Sequence, residues 1–502
     1  MISQRILPYF FSTVLLIALF TAHMHFFYPH LFFLDDPYIL LHSAQVLHQG
    51  YDPNYATTPA IVGNSSPVNL LLIYLLLFFL SPLYALICSN WLATIAYTWG
   101  LIYLSRLYRC NGWQTILILF CGLLSGACIA QLLNGLETSL AMATITWVLI
   151  LSSLPLSYGY RYALMILLGI SPFIRPELLG FSCVIYLFQL YRYQNNQCLK
   201  AKIIIQDIAL IGFAALPWLF WLWHATQHFY PETITAKATF FAQNYPSIFY
   251  QFKFFCEILL QFFISISLLY LISLYLLSKQ KLGQAILLFL FIFSIAYFYT
   301  GASMLQQNNF RYLYVWLPLL LFGLISNMQA PQKCLSYTAQ LITLLIALIT
   351  LCALPLQYLY YQYTIRQIGL LQEQYIAWCN THLPRNKIIA IQDAGFIAYA
   401  TPLLLTDFVG LKSPDNISFH QQYTKPSHGL LRNQAISLIL QTKKAHYLIM
   451  TNEWVDEFKT PKALQALGWQ VDLLKTFAVD MPKNTRFSYL IYQLDNRLIS
   501  VR

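Results

Sequence analysis

Apolar stretches of bilayer-spanning length recur from residue 8 to about residue 358. The stretches fall at 8–28, 67–105, 114–132, 136–153, 160–174, 177–192, 203–226, 253–278, 283–300, 311–328 and 335–358. The second could hold two short helices with a break at Ser81-Pro82. It is read as one net crossing, bent or re-entrant, which gives about eleven net crossings. The first segment, Met1 to Arg5 followed by an apolar run without a small-x-small cleavage site, reads as an uncleaved signal anchor with its amino terminus inside. Beyond residue 360 the pattern changes to apolar runs of strand length at 387–392, 403–409, 447–451, 469–474 and 488–493. A helical pattern at 431–441 falls between two of them. The expected architecture is therefore a polytopic α-helical membrane domain, 1–360, with a first outer loop at about 29–66. A small carboxy-terminal α/β domain, 361–502, follows.

Composition supports this division. Of 502 residues, 58% are hydrophobic and 9% charged, which excludes a disordered chain and argues against a purely soluble enzyme. The net charge of +11 would suggest nucleic acid in a soluble protein. Here the cations sit in short loops between apolar runs, and no zinc-finger spacing, Walker loop or basic-aromatic ribbon accompanies them, so no nucleic-acid partner is expected. The ten cysteines form no CxxC pair and read as small buried hydrophobes.

Charge also orients the chain. With eleven crossings, ten cations lie inside: Arg5, Arg106, Arg109, Arg161, Arg192, Lys200, Lys202, Lys279, Lys281 and Lys333. Four lie outside: Arg175, Lys237, Lys253 and Arg311. Two crossings at 67–105 would reverse that bias. The same topology collects Asp35, Asp36, Asp52, Glu137, Glu177, Glu232 and Glu257 at the outer face and leaves only Asp207 inside. Ionisable groups at the membrane edge are costly, which makes this face the place to look for function.

Five short segments carry the candidate chemistry. Asp35-Asp36-Pro37 follows the first span. One carboxylate there can take a proton from a hydroxyl while its neighbour orients it. The plain alternative is a helix cap with proline in the first turn. Asn134-Gly135-Leu136-Glu137-Thr138 is a tight turn into a helix. Arg175-Pro176-Glu177 opens another helix, with Arg175 and Glu177 able simply to pair. Glu232 and Lys237 share an outer loop, and Arg311 opens a span, where either cation could equally anchor lipid headgroups. Together the carboxylates and cations suit transfer from an anionic lipid-linked donor, the cations holding the phosphate and a carboxylate activating the incoming hydroxyl. No cofactor is demanded. A divalent cation (Mg, Mn or Ca) at Asp35 and Asp36 is left open.

The order of these motifs resembles the GT-C integral-membrane glycosyltransferases, which use polyprenyl-phosphate sugars. The pattern is most similar to the branch containing terminal arabinofuranosyltransferases. The matching segments are Asp35-Asp36-Pro37-Tyr38-Ile39 with Ser66-Pro67, Asn134-Gly135-Leu136-Glu137-Thr138, Ile174-Arg175-Pro176-Glu177-Leu178, Pro231-Glu232-Thr233-Ile234-Thr235-Ala236-Lys237 and Arg311-Tyr312-Leu313. In the outer domain they are Gln392-Asp393-Ala394-Gly395 and Asp407-Phe408-Val409-Gly410-Leu411. Pro37, Glu232 and Gln392 depart from the family's small residue, Asn and Gly.

The resemblance implies a GT-C fold and a catalytic carboxylate at Asp36, with Asp35 assisting or helping to bind a metal. It implies that Lys237, Arg311 and Arg175 hold the donor phosphate. Asn134, Glu137, Glu177 and Glu232 would line the sugar or acceptor cavity, and Asp393 and Asp407 would link the outer domain to it. Direct displacement with inversion is the family's expectation, with a pentose or hexose transferred. The implied partners are a polyprenyl-phosphate sugar, a cell-envelope glycan, lipid or protein acceptor, and membrane lipids. The implied location is the bacterial inner membrane, with the outer domain periplasmic. The rival readings are a transporter or flippase of a lipid-linked saccharide, and a non-catalytic envelope assembly protein.

Overall fold

The computed structural model describes residues 2–27, 34–56, 58–197, 200–243, 245, 247–481 and 485–496. Residue 28 of the first expected span, residues 29–33 and 57 of the expected first outer loop, and residues 482–484 and 497–502 of the expected outer domain lie outside the described residues.

Among the described residues, six helices are long and apolar enough to cross a membrane: Ile6–Met24, Pro82–Leu107, Ala201–Thr226, Ile248–Ile266, Lys281–Thr300 and Lys333–His382. Four shorter apolar helices, Pro67–Leu76, Gly112–Leu124, Thr138–Ser153 and Leu313–Ile325, contribute to the same apolar core. Local chemistry sets the ends. Pro67 follows Ser66, whose hydroxyl accepts from the Asn69 backbone N–H at 3.4 Å, and Pro82 follows Ser81. The run 67–105 is therefore broken where Ser81-Pro82 predicts. Asn111 and Gln114 close a reciprocal cap on the next helix. Asp207 is buried against Arg161 at 2.7 Å, so neither charge lies alone in the apolar bundle.

The helix Lys333–His382 is 50 residues long, about 75 Å at 1.5 Å per residue, against a hydrocarbon layer of roughly 30 Å. It runs unbroken through residues 360 and 361. Its last turns belong to the outer domain, where Leu371, Tyr375, Ile376 and Cys379 pack against one face of a five-stranded sheet.

The strands are β1 Ile388–Ile391, β2 Leu405–Asp407, β3 Ala445–Thr451, β4 Trp469–Met481 and β5 Thr485–Asn496. Their order is β2-β1-β3-β5-β4. β1 is parallel to both neighbours, and β5 is antiparallel to both of its own. The chain leaves β1 for β2 on one side and returns to β3 on the other, so a crevice opens at the carboxyl ends of the parallel strands. Residues Gln392-Asp393 and Thr451-Asn452-Glu453 come off those ends.

The first outer loop fixes this sheet to the membrane domain. The helix Asp36–Gln49 ends at Gly50, which takes the left-handed conformation at φ 80°. Beyond it, the Asn54 amide donates to the carbonyls of Thr401 and Leu403, and its own carbonyl accepts from Leu405 N–H at 3.0 Å. Tyr55 donates to the Ala394 carbonyl at 3.0 Å, and Ile39 and Tyr55 are buried in the sheet's own apolar cluster. The Lys412 ammonium returns from the outer domain to the Ser43 hydroxyl and the Val62 carbonyl.

Candidate functional site

Asp36 opens the helix Asp36–Gln49 and lies where two cavities meet. One is a cavity of about 740 Å³ between the membrane domain and the outer sheet, and the other a chamber of about 40 Å³ behind it. Asp36 Oδ2 accepts from Arg311 at 2.8 Å and from the Asn308 amide at 3.2 Å. The Asp36 side chain keeps 29% of its surface exposed while Arg311 keeps 4%. Burial alone would raise the Asp36 carboxyl, but Lys237 and Arg311 outweigh it and hold the group below its ordinary value. Asp36 is therefore ionised and reachable.

Lys237 and Arg311 line the small chamber beside Asp36, and Lys237 also faces the large cavity. Both cations donate to the Tyr312 hydroxyl, at 3.2 and 2.9 Å. Burial would lower the Lys237 ammonium; Tyr312 and Asp36 reverse this and leave it raised, so it stays charged. Arg311 also keeps a buried Nε without a partner. The segment before it is strained. Asn308, Asn309 and Phe310 all have positive φ, 52°, 56° and 61°. The Gln131 amide holds that turn by donating to the carbonyls of Asn308 and Asn309 at 2.6 and 3.2 Å.

Asp35 also lines the large cavity, but its carboxylate is engaged by a different set of donors. Its two carboxylate oxygens each accept a backbone N–H from the outer domain, Gly395 and Phe396, both at 2.7 Å. A Cβ on Gly395 would collide with the Asp35 carbonyl oxygen, which explains glycine there. Each Asp35 oxygen thus accepts one backbone N–H. Among the described residues no group of three or more His, Cys, Asp or Glu is placed to hold a metal ion.

Asp393 comes off the end of β1 into the large cavity and accepts from the Tyr489 hydroxyl at 3.0 Å. Burial is the main reason its carboxyl is pushed up to about 6, with the Tyr489 bond opposing and Asp36 adding to it. Asp35 is likewise raised, by burial first and then by Asp393, against the two backbone N–H groups.

The remaining expected residues separate into those on the cavities and those behind them. Glu137 lines the small chamber, 3.7 Å from Arg175 Nε. Arg175 is fully buried between Glu137 and Glu177, donating to Glu177 at 3.1 Å, and Glu177 also accepts from Tyr297 at 2.6 Å. Asn134 donates to Gln131 and accepts from Leu136 N–H, so it shapes the turn that presents Glu137. Glu232 pairs with His228 at 3.4 Å. Asp407 accepts the backbone N–H groups of Val409 and Lys412, closing the turn that carries Lys412. Asn134, Arg175, Glu177, Glu232 and Asp407 are not among the residues lining these two cavities. Their polar atoms are largely engaged by one another, by neighbouring side chains or by backbone, while Glu177 Oε2 is buried without a hydrogen-bond partner. Sequence reasoning passed over Gln131, Asn308, Tyr312 as a hydrogen-bond acceptor, and Lys412. The Asn308-Asn309 pair before Arg311 was the available signal, since asparagine tolerates left-handed backbone.

Residues 358–492 match a family model described as Domain of unknown function (DUF8728). No curated protein matches the chain. The chain is similar in structure to ArnT from Cupriavidus metallidurans, crystallised in the apo state, with a TM-score of 0.50 and 11% identity over 96% of this chain and 98% of that one. The likeness is one of fold: a bundle of apolar helices, six of them among the described residues long and apolar enough to cross a membrane, with a small carboxy-terminal sheet.

Proposed function

We propose that the chain is a glycosyltransferase of the bacterial inner membrane that works on its periplasmic side, with the amino terminus cytoplasmic. It moves a pentose or hexose from a polyprenyl-phosphate donor to a hydroxyl of a cell-envelope acceptor. The observation that carries this reading is Asp36: an ionised, accessible carboxylate touching Arg311, with Lys237 beside it, at the meeting of two cavities.

The donor phosphate enters between Lys237 and Arg311, and the acceptor comes through the large cavity. The acceptor hydroxyl gives its proton to Asp36 as its oxygen attacks the anomeric carbon. The bond from that carbon to the phosphate oxygen breaks, and the polyprenyl phosphate leaves with its electron pair, its charge met by the two cations. Glu137, across the small chamber, faces the sugar. The two cations make Asp36 a weak base in the free protein. A donor phosphate shares them, draws their charge from Asp36 and raises its basicity when the substrate is in place. Displacement of this kind inverts the anomeric centre. Asp35 and the Arg175–Glu137–Glu177 cluster hold this geometry without touching the reacting atoms.

Purified protein in lipid nanodiscs, supplied with labelled polyprenyl-phosphate pentoses and hexoses and an envelope extract, tests the proposal. Label should reach acceptor with the native protein and not with Asp36→Asn. Donor moved across a sealed vesicle membrane with no new glycosidic bond would instead make the protein a transporter.

A further inference from the structure

Two of the walls about Asp36 come from segments far apart in the chain. One is the turn 308–311, whose Asn308 and Arg311 side chains donate to Asp36. The other is the turn 134–137, whose Leu136 and Glu137 line the small chamber. A single side chain ties them together. Gln131 is only 2% exposed, and its amide is used at both ends. Nε2 donates to the carbonyls of Asn308 and Asn309, at 2.6 and 3.2 Å, and Oε1 accepts from the Asn134 amide at 3.1 Å. The Asn134 side-chain oxygen then accepts from Leu136 N–H at 3.0 Å, across Gly135 with its φ of 82°. The short helix Cys128–Leu133 that carries Gln131 is seated by Ala127 N–H, which donates to the Tyr314 hydroxyl at 2.6 Å. Arg175 spans the same gap more loosely, 3.4 Å from the Arg311 carbonyl and 3.7 Å from Glu137.

We propose, building on the glycosyltransferase reading, that Gln131 is a positioning residue of the transfer, holding Asn308 and Arg311 on Asp36 in fixed register with Glu137. The turn it grips does not hold itself. Asn308, Asn309 and Phe310 run consecutively in left-handed backbone, which asparagine tolerates and phenylalanine resists. Two carbonyls of this run are met by one amide, which has two N–H groups to give. An apolar side chain of the same length leaves both carbonyls unmet. The run then relaxes and carries Asn308 and Arg311 off Asp36. Of the groups that keep the Asp36 carboxyl low, Lys237 alone stays, and burial raises it. Asp35, Asp393 and Glu137 also face Asp36, and Glu453, Glu457 and Arg486 line the same large cavity. None of these contacts the turn that Gln131 holds through a hydrogen bond to its two gripped carbonyls.

The test is the pH dependence of transfer by the full-length protein in nanodiscs, supplied with labelled undecaprenyl-phosphate sugars and an envelope extract. Gln131→Met should lower kcat about ten- to a hundredfold. The acid limb of kcat/KM, which reports the base of the free protein, should move up by at least about one pH unit. Asp393 is itself pushed up to about 6, so the shift is read in both the native and the Asp393→Asn backgrounds and should appear in each. Asn309 is exposed, and Asn309→Gly relieves the left-handed run without loss of packing, so it should restore part of kcat to Gln131→Met. Gln131→Ala leaves room for water to meet the two carbonyls and carries the test where Gln131→Met does not fold. It should move the acid limb in the same direction. Native kcat in either Gln131 variant overturns the proposal. Lower activity with the acid limb unmoved also overturns it, since a loss of folded protein alone has that effect. In both cases transfer by the native protein and not by Asp36→Asn leaves the glycosyltransferase reading standing. Transfer by neither overturns that reading itself.

Discussion

Two adjacent aspartates have separate work because a helix begins between them. Asp36 is the first residue of its helix and meets Arg311 and Asn308, while Asp35 turns its carboxylate to the backbone of Gly395 and Phe396. The two asparagine variants should therefore fail differently. Asp36→Asn removes the proton acceptor, with a loss of transfer of about a hundred- to ten-thousand-fold that exceeds what the lower melting temperature expected from leaving Arg311 without its counter-charge can account for. Asp35→Asn keeps one acceptor oxygen and loses the other, costing about 1–3 kcal/mol, seen as a lower melting temperature. Asp393 gives a pH signature. Its carboxyl is raised from 3.8 to about 6 in the folded protein, so its contribution to stability is fully present below pH 3.8 and is lost as pH rises through about 6. Between pH 4 and 7 the melting temperature of Asp393→Asn should fall less than that of the native protein. A parallel decline in both would remove the assignment. Asp36, Lys237 and Arg311 were legible in the sequence because charge is scarce in this chain and stands out. Which aspartate meets the cations was not legible, since Asp35 is engaged by backbone N–H groups more than 350 residues away. Tyr312 and Gln131 carry no charge and act through contacts that only the fold creates.

The helix Glu232–Phe240 shows how a short element couples the two domains. It brings Lys237 to Asp36, and its last residue, Phe240, is fully buried among Phe408, His420, Trp454 and Phe458 of the outer domain. Arg432 closes this end by donating to the carbonyls of Phe240 and Ala242, both at 2.9 Å, with its guanidinium over the Phe458 ring at 4.2 Å. Lysine cannot reproduce a planar two-carbonyl grip, so Arg432→Lys should weaken donor binding by moving Lys237. The expected result is a raised KM for the donor with kcat largely kept; an equal fall in kcat would place the effect in the chemical step. Strand positions were legible where apolar runs mark buried sheet. β4 and β5 were expected at 469–474 and 488–493 but extend to Trp469–Met481 and Thr485–Asn496. Residues 475 and 476, past the expected end of β4, are exposed and are kept in place by pairing with Ile491 and Leu490 of β5, which a reading based on burial cannot see.

At the scale of the molecule, hydrophobic length alone distinguishes a part rich in long apolar helices from a part that carries a sheet, because a bilayer and a water-facing sheet demand different apolar periods. What it did not reveal is how incomplete each part is without the other. The outer sheet's apolar clusters take in Ile39 and Tyr55 from the first outer loop and Phe240 from the helix Glu232–Phe240. Asn54 supplies hydrogen bonds at the rim of β2, and Lys412 is buried against the first outer loop. Cut from the membrane domain, a fragment starting near residue 358 exposes each of those surfaces and loses Asp35 from Gly395 and Phe396. Burying one large apolar side chain is worth about 1.5–3 kcal/mol, and a small domain's whole stability is about 5–15 kcal/mol. Losing Ile39, Tyr55 and Phe240 together thus removes a large share of it. The fragment should express as a partly unfolded, aggregation-prone species that binds a hydrophobic dye. Co-expression with residues 1–357 should rescue it into one membrane-bound complex. A soluble fragment that melts cooperatively, at the temperature its fold shows in the intact protein, would instead make the outer sheet an autonomous domain and the interface a simple docking surface.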